Sequence, residues 1–320
     1  GVIHPKLDRK FTNFIPSASM NYDLKQNRYL GVYYNRNINE PNVSDLQPFV
    51  DNSNPLYIRE GNPALKPSGS HSVNMNYNMF NSTTFVQMYF GMHYQYYTDQ
   101  IIYNQTVDQN LVVRTKPINM SGGNSVGTYG HYGFPIVKTK SNLSVNFNYN
   151  LSNNLTPINN VLNETQTNSY GFGLRSDLTP SDKFTLYLNG GLDWANTDYS
   201  INKAQNQKIL NGSYGAELNI KLPAELYFNS RYSLNTYKND GAGFNQTQSV
   251  LNLSIYKTML KSKKGEIRLS AYDVFNQNKG ISQYAYGNFY TQEYVRTLAR
   301  YFMLSFSYNM RGMSHSVRRK

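Results

Sequence analysis

The sequence predicts an all-β protein, an antiparallel transmembrane β-barrel, from three observations: alternating polar and apolar residues, strands long enough to cross a bilayer, and connections that alternate between short and long. Residues 141–154, SNLSVNFNYNLSNN, show the first, since apolar residues alternate there with Asn and Ser without a break. Such alternation puts successive side chains on opposite faces of a strand. The apolar face covers a core in a soluble sandwich but touches lipid in a barrel, so strand length and connections must distinguish the two.

Composition restricts the class of protein. The chain has 320 residues, of which only 16% are charged and 29 are Tyr, whereas soluble domains carry about 25% charged residues. No run approaches the roughly 18 apolar residues of a membrane-spanning helix, so a chain of this kind crosses a bilayer with strands. The absence of Cys excludes disulfides and thiolate chemistry. The +12 net charge is spread along the chain, which argues against nucleic-acid binding.

The alternation recurs and predicts about thirteen strands. Many exceed the usual five or six residues of a soluble strand and reach the roughly 9–11 residues that a tilted barrel strand needs to cross a bilayer. The predicted strands lie near 14–24, 28–38, 71–80, 84–105, 111–134, 141–152, 167–178, 184–197, 212–222, 226–237, 249–260, 266–275 and 293–310.

The connections between these strands alternate in length. Short turns are predicted at 25–27, 81–83, 134–140, 179–183, 223–225 and 261–265, and longer loops at 39–70, 153–166, 198–211, 238–248 and 276–292. Residues 98–110 look like a tight hairpin between strands that project beyond the membrane. Short turns at one end and long loops at the other are typical of outer-membrane barrels, where the short turns are periplasmic.

An odd number of antiparallel strands cannot close a barrel, and an open edge in lipid leaves backbone groups without partners. We therefore expect further strands before residue 1. The first residues, GVIHPKLDRKF, are interpreted as a cut end. Residues 1–320 are predicted to form a single, partial barrel domain.

The segment from Asn35 to Tyr77 resembles a region of the TonB-dependent receptor barrels of Bacteroidetes, in which a Pro-containing loop precedes a GNP-x-L-x-P segment. That segment is GNPALKP here, residues 61–67, and AYDVFNQN (271–278) and RYFMLSFSYNMRG (300–312) resemble the last two strands. The resemblance implies a 22-stranded outer-membrane barrel in a Gram-negative bacterium, of which this chain is the C-terminal portion.

The same resemblance implies a function and partners. A plug domain, absent here with the first strands, would fill the barrel, and a periplasmic TonB energy-coupling protein would drive import of a small nutrient. The other implied partners are outer-membrane lipid, lipopolysaccharide and a surface lipoprotein. Two alternatives remain open: a passive or structural outer-membrane barrel, porin-like or adhesive, and a secreted all-β binding protein.

Two groups of residues are candidates for contact with a transported molecule. Aromatic, charged and amide side chains in the long loops could bind it, or could pack against one another to order the loops; they are Tyr57, Arg59, Glu60, Asn62, Tyr284, Tyr286, Phe289 and Tyr290. Side chains on the polar face are expected to line the lumen; they include Gln87, Tyr89, His93, Asn146, Asn148 and Arg231.

Other chemistry is not expected. The glycines of GFGLRS (171–176) alternate on a strand and make room in the lumen, so they do not form a phosphate loop. His93 and His131 share the polar parity but lack the further ligands of a metal site. No metal, cofactor or enzymatic activity is predicted. Arg300, near the outer rim, could meet a lipopolysaccharide phosphate or extend to the membrane interface.

Overall fold

Long antiparallel strands dominate the protein, in a computed structural model that describes residues 9–24, 27–286 and 289–310. A short helix, α1 (Val43–Leu46), lies in the first long loop. In chain order the strands are β1 (Ser17–Leu24), β2 (Arg28–Asn39), β3 (Val50–Asn54), β4 (Tyr57–Glu60), β5 (Ser68–Asn81), β6 (Val86–Thr98), β7 (Gln100–Val107), β8 (Val113–Met120), β9 (Asn124–Val137), β10 (Ser141–Ile158), β11 (Val161–Ser181), β12 (Phe184–Tyr199), β13 (Gln207–Leu222), β14 (Leu226–Asn239), β15 (Phe244–Met259), β16 (Gly265–Tyr272), β17 (Ile281–Tyr286), β18 (Phe289–Tyr294) and β19 (Tyr301–Tyr308).

Thirteen of these strands form the barrel wall, as the sequence predicts. Their order is β1-β2-β5-β6-β9-β10-β11-β12-β13-β14-β15-β16-β19, and every neighbouring pair is antiparallel. The all-β, antiparallel fold class is confirmed. Within residues 9–24, 27–286 and 289–310, β1 and β19 do not pair with each other, so the sheet has two open edges.

Several predicted strand boundaries are wrong because the strands continue beyond the segments in which polar and apolar residues alternate. Three segments expected to be long loops, 153–166, 198–211 and 238–248, are strand for half or more of their length, with connections of only two to seven residues. Beyond the apolar band the outward positions become polar, as at Glu164, Asp198 and Lys208. Several inward positions there are also polar, although they are buried, including Thr165, Thr197 and Asn239, so the period-two signal vanishes. The strand predicted at 293–310 is also wrong at its start, because β19 begins at Tyr301.

The hairpin predicted around residues 98–110 is confirmed, but each of its strands is divided. The predicted strand 84–105 is broken between β6 and β7 at Asp99, whose φ is 48°. The predicted strand 111–134 is broken between β8 and β9, where Gly122 has a φ of 117°. Both left-handed residues lie at one level of the hairpin, where the ribbon changes direction.

One face of the wall is apolar across its width. On β10 the five alternating residues from Leu143 to Leu151 each meet an apolar or aromatic partner on at least one side, and Val145 lies between Tyr132 and Leu174. These side chains have no covering layer, and Phe147 and Phe172 remain 44% and 46% exposed. The eight residue steps span about 27 Å along a strand and about 20 Å when tilted, close to the ~25 Å apolar band of a transmembrane barrel.

The lipid-facing assignment makes a paired prediction for neighbouring residues of β10. Val145→Arg should destabilise the membrane-assembled protein by about 2–4 kcal/mol, because it places a cation in the apolar band. Asn146→Arg should cost less than about 1 kcal/mol, since position 146 faces the polar side beside Gly173. Urea titration of the two variants in lipid vesicles, followed by heat-modifiable gel mobility, measures both values. Equal costs would contradict the assignment of faces.

Candidate functional site

The six predicted lumen residues share the polar face of the wall. Tyr89 pairs in register with His131, which pairs with Asn146, and the same face continues through Gly173, Gly191, Ser213 and Asn235 to β14. Gln87, His93, Asn148 and Arg231 have the same parity on their strands. That this face borders the water of a lumen stays a prediction.

Glycines on this face accommodate larger side chains from the adjoining strands. A Cβ at Gly127 would lie 1.9 Å from His93 Cε1, and one at Gly171 would lie 2.1 Å from Asn148 Oδ1. His93 and Asn148 therefore lie flat across the neighbouring strand. The result is a polar wall whose side chains lie along its surface, which agrees with the interpretation of GFGLRS as strand glycines.

A groove opens on this face between β11 and β14, with a volume of about 390 Å³. Arg231 donates from Nε and Nη2 to Glu217 Oε2 at 3.0 and 2.8 Å, and Arg175 donates from Nε to Asp177 Oδ1 at 2.9 Å. Both cations thus have an acidic partner, and Asn189, Ser213, Ser233 and Asn235 also line the groove. The groove therefore offers both hydrogen-bond donors and acceptors, without a large excess of positive or negative charge.

The first long loop, residues 40–67, is held against the projecting ribbon β7–β8. In the wall the strand order is β5-β6-β9-β10, but above it β4 pairs in parallel with β8, and β7 meets the end of β10, where Asn159 N donates to Gln105 O at 2.8 Å. The ribbon has therefore made a half twist, so β8 lies on the side of the first long loop. Two-stranded ribbons twist more strongly than broad sheets do.

A charged cluster, which we name the loop clamp, fixes this loop: Asp45, Arg59 and Tyr103. Asp45 is only 2% exposed, and its Oδ1 accepts a hydrogen bond from Arg59 Nη2 at 2.6 Å. The Tyr103 hydroxyl, from β7, donates to the same carboxylate at 3.2 Å, and its ring lies 5.5 Å from the Arg59 guanidinium carbon. A buried carboxylate without such partners would be strongly destabilising, so the clamp satisfies Asp45 and joins loop to ribbon.

The clamp changes the acidity of its members. The hydrogen bond to Asp45 raises the pKa of Arg59, which therefore remains charged at any physiological pH. Burial, followed by the proximity of the Asp45 carboxylate, raises the pKa of the Tyr103 hydroxyl above its ordinary value. Tyr103 is consequently a neutral hydrogen-bond donor over the whole neutral range.

The GNP segment is the second anchor of the loop. A Cβ at Gly61 would lie 1.8 Å from the backbone oxygen of Gln47, so the chain passes there too closely for any other residue. Asn62 donates from Nδ2 to Pro117 O at 2.9 Å and accepts from Ala64 N at 2.9 Å, while Leu65 is fully buried. These contacts give the motif a structural role.

Some of the predicted loop residues have hydrogen-bond partners within the protein, whereas others are exposed. Arg59 and Asn62 serve the anchors, and Glu60 accepts a hydrogen bond from Lys116 Nζ at 2.6 Å, a pair about half exposed on both sides. Tyr57 is 47% exposed. Within this loop, therefore, Tyr57 is the predicted aromatic residue with surface to offer a ligand.

The second long loop, residues 273–300, folds over the polar face. Its hairpin β17–β18 places Gln283 Nε2 2.9 Å from Asn211 Oδ1 on β13, three strands away from β16. The Tyr294 ring packs edge-on against Phe244 at 6.3 Å. Tyr284 is exposed; the backbone places Tyr286, Phe289 and Tyr290 on this hairpin, and their side chains lie outside the described part of the structure.

No metal-type cluster forms from the histidines on the polar face. His131 Nδ1 donates to Asn146 Oδ1 at 2.8 Å, and His93 lies over Gly127. Across the described residues, no three His, Asp or Glu side chains converge on a point that could hold a metal ion.

Sequence reasoning missed Asp45, Tyr103, Arg175, Glu217 and Gln283. Glu217 and Arg175 have the polar parity of their strands, and cross-strand pairing of Glu217 with Arg231 follows once the hairpin register is known. Asp45 and Tyr103 are 58 residues apart, and no local pattern indicates that they meet.

The loop clamp predicts a specific response to Arg59→Gln. Loop docking should weaken by about 2–3 kcal/mol, because the buried Asp45 carboxylate loses its charged partner. The chain has no Cys, so a spin label at Asn52→Cys reports loop mobility by its line shape. Lys116→Gln is the matched control: it removes a half-exposed pair and should cost no more than about 1 kcal/mol. A label equally immobile in Arg59→Gln would show that the clamp does not hold the loop.

Alkaline pH provides a second test. Because the pKa of Tyr103 is raised in the folded protein, its contribution is complete below the pKa of an unfolded Tyr and is lost as pH rises through the folded value. The Asn52 label should thus become mobile in the alkaline range above the ordinary Tyr pKa. In Tyr103→Phe, that transition should be absent from the same label. A transition unchanged in Tyr103→Phe would assign it to another group.

The comparisons with known proteins agree with this geometry. None of the helices in the described ranges is long and apolar enough to cross a membrane. A search of curated proteins found no match. The model of the outer membrane protein beta-barrel family matches residues 4–168 and 152–308, which together cover almost the whole chain. With its lipid-type apolar face, its polar inner face and this match, the chain belongs to the outer membrane protein beta-barrel family, whose members reside in the outer membrane of a Gram-negative-type envelope.

Proposed function

We propose that the chain is the C-terminal part of a TonB-dependent outer-membrane receptor that binds a small nutrient at its long loops and imports it. The observation that carries the proposal is the arrangement of one end of the barrel, where both long loops are anchored by specific contacts. One loop is fixed by the clamp and the other folds over the polar face. Ordered loops above a polar passage suit capture followed by transport.

The proposed route begins at exposed loop side chains and continues along the polar face. Tyr57 and Tyr284 present aromatic surface at the mouth, and the groove at Glu217 and Arg231 lies further along the wall. A plug preceding residue 1 would block the passage until a periplasmic TonB-type protein pulls on it. Lipopolysaccharide and a surface lipoprotein are the proposed partners on the outer side. We propose no catalytic step and no cofactor.

A passive or structural barrel is the second candidate. Arg59, Glu60 and Asn62 already have partners inside the protein, as expected when loops are ordered for their own sake and bind no ligand. A barrel of that type conducts ions continuously if its lumen is open, whereas a plugged receptor does not.

Single-channel recording separates the two. The full-length protein encoded by the gene, inserted into a planar bilayer in potassium chloride, should give no steady conductance if a plug fills the lumen. A variant lacking the residues before the barrel should conduct, which serves as the control for insertion. Steady conductance of the full-length protein, together with no binding of a periplasmic TonB domain in a pull-down, would establish the passive alternative and defeat the import proposal.

A further inference from the structure

Positive charge is concentrated at the end of the barrel that carries the short turns. The described residues contain 25 Lys and Arg against 18 Asp and Glu, an excess of seven. The short turns at this end are the connections β1–β2, β5–β6, β9–β10, β11–β12, β13–β14 and β15–β16. Within three residues of these connections there are nine cations and four acids, so five of the seven excess charges lie there. The nine cations are Arg28, Lys138, Lys140, Lys183, Lys221, Lys257, Lys261, Lys263 and Lys264.

Antiparallel topology brings together Lys and Arg residues that are far apart in the sequence. The cations come from five of these turns, spread between Asn27 and Lys264, and all five turns join neighbouring strands at the same end of the wall. In sequence the charge looks evenly distributed, which argues against a basic patch. In the fold it forms a band at one rim.

Most of these cations lack an acidic partner. Lys221 and Lys263 share Glu225, at 3.8 and 2.7 Å. The remaining seven form no ion pair within the described ranges, and we name them the rim cations: Arg28, Lys138, Lys140, Lys183, Lys257, Lys261 and Lys264. Their charge is thus available to an external anion.

The rim cations lie where the apolar face ends. Lys257 is on the apolar side of β15, two residues beyond Ile255 and opposite Ile267, and Arg28 pairs with Met79. Lys138 Nζ lies 5.2 Å from the centre of the exposed Phe85 ring. Lys and Arg beside apolar surface bury their aliphatic stems there and extend their charged ends to the interface.

Exposed apolar side chains at the same level indicate contact with a membrane. Ile136, Val137 and Leu260 are each more than half exposed next to Lys138 and Lys261. A surface that met only the aqueous periplasm would leave these side chains in water. Cations interleaved with apolar residues fit the boundary between acyl chains and lipid head groups.

We propose that the rim cations bind the head groups of anionic phospholipids in the periplasmic leaflet, such as phosphatidylglycerol. Each cation near an anionic membrane surface contributes about 1 kcal/mol, or roughly five-fold in lipid partitioning. The site selects lipids that carry a net negative charge over zwitterionic ones. It requires only that the short turns are periplasmic, as in outer-membrane barrels, and it stands whether or not the barrel imports a nutrient.

Native mass spectrometry of the protein extracted from vesicles tests this proposal. The vesicles contain phosphatidylcholine with phosphatidylglycerol as the anionic probe, and the measurement is the ratio of the two lipids retained. Wild type should retain an excess of phosphatidylglycerol. The triple variant Arg28→Gln, Lys138→Gln, Lys257→Gln should lose most of that excess, at least about five-fold. A second variant, Lys140→Gln with Lys261→Gln, changes only exposed turn residues and should show a smaller loss in the same direction.

A matched control changes equal charge at the opposite end. The variant Lys203→Gln, Lys208→Gln, Lys238→Gln should retain phosphatidylglycerol like wild type, and heat-modifiable gel mobility confirms that each variant is folded. Equal retention by wild type and the rim triple variant would overturn the proposal, as would an equal loss in the control. Displacement of the lipid by inorganic phosphate would assign the site to free phosphate, and binding of polyglutamate in its place would assign it to an acidic protein; either result overturns the lipid assignment.

Discussion

Backbone hydrogen bonding between strands is the constraint on which the rest of the structure depends. Hydrocarbon offers no water to an unpaired N–H or C=O group, so each strand must pair along its membrane-crossing length. The register of β10 with β11 is continuous over the whole of β10, and that with β9 is continuous from Asn142 to Asn153. This pairing satisfies the requirement and also fixes which side chains share a face. A shift by one residue would put Asn146 and Asn148 into lipid. Pairing therefore determines both the membrane surface and the polar wall.

The sequence could predict the wall because each strand carries its own two-faced pattern. Leu143, Val145 and Phe147 identify the lipid side without knowledge of any neighbour. It could not predict where β11 and β12 end, since Asn, Thr and Gln above the membrane serve both faces and carry no periodicity. Nor could it pair Asp45 with Tyr103, whose meeting depends on the half twist of the ribbon. The sequence thus predicts features that depend on neighbouring residues along one strand, but not contacts that depend on the path of the chain.

The GNP segment illustrates how a resemblance and a physical cause can coincide. The resemblance rests on residues that also have a structural role. Gly61 lies against the backbone of Gln47, the Asn62 side chain donates a hydrogen bond to Pro117 O on β8, and Leu65 is fully buried. They hold the loop in place irrespective of what it binds. Specificity for a ligand would then reside in side chains that the anchors leave free, such as Tyr57.

The half twist of the β7–β8 ribbon also affects whether two copies of the protein can pair through exposed strand edges. An upright ribbon above the membrane would present two bare strand edges to its neighbours, and bare edges recruit other strands. Here β4 covers part of one edge, and the tip of β10 meets the other. By turning over, the ribbon occupies its own hydrogen-bonding groups with segments of the same chain. Crowded copies of the protein would therefore meet at this height through side chains, with few opportunities for one sheet to continue into the next.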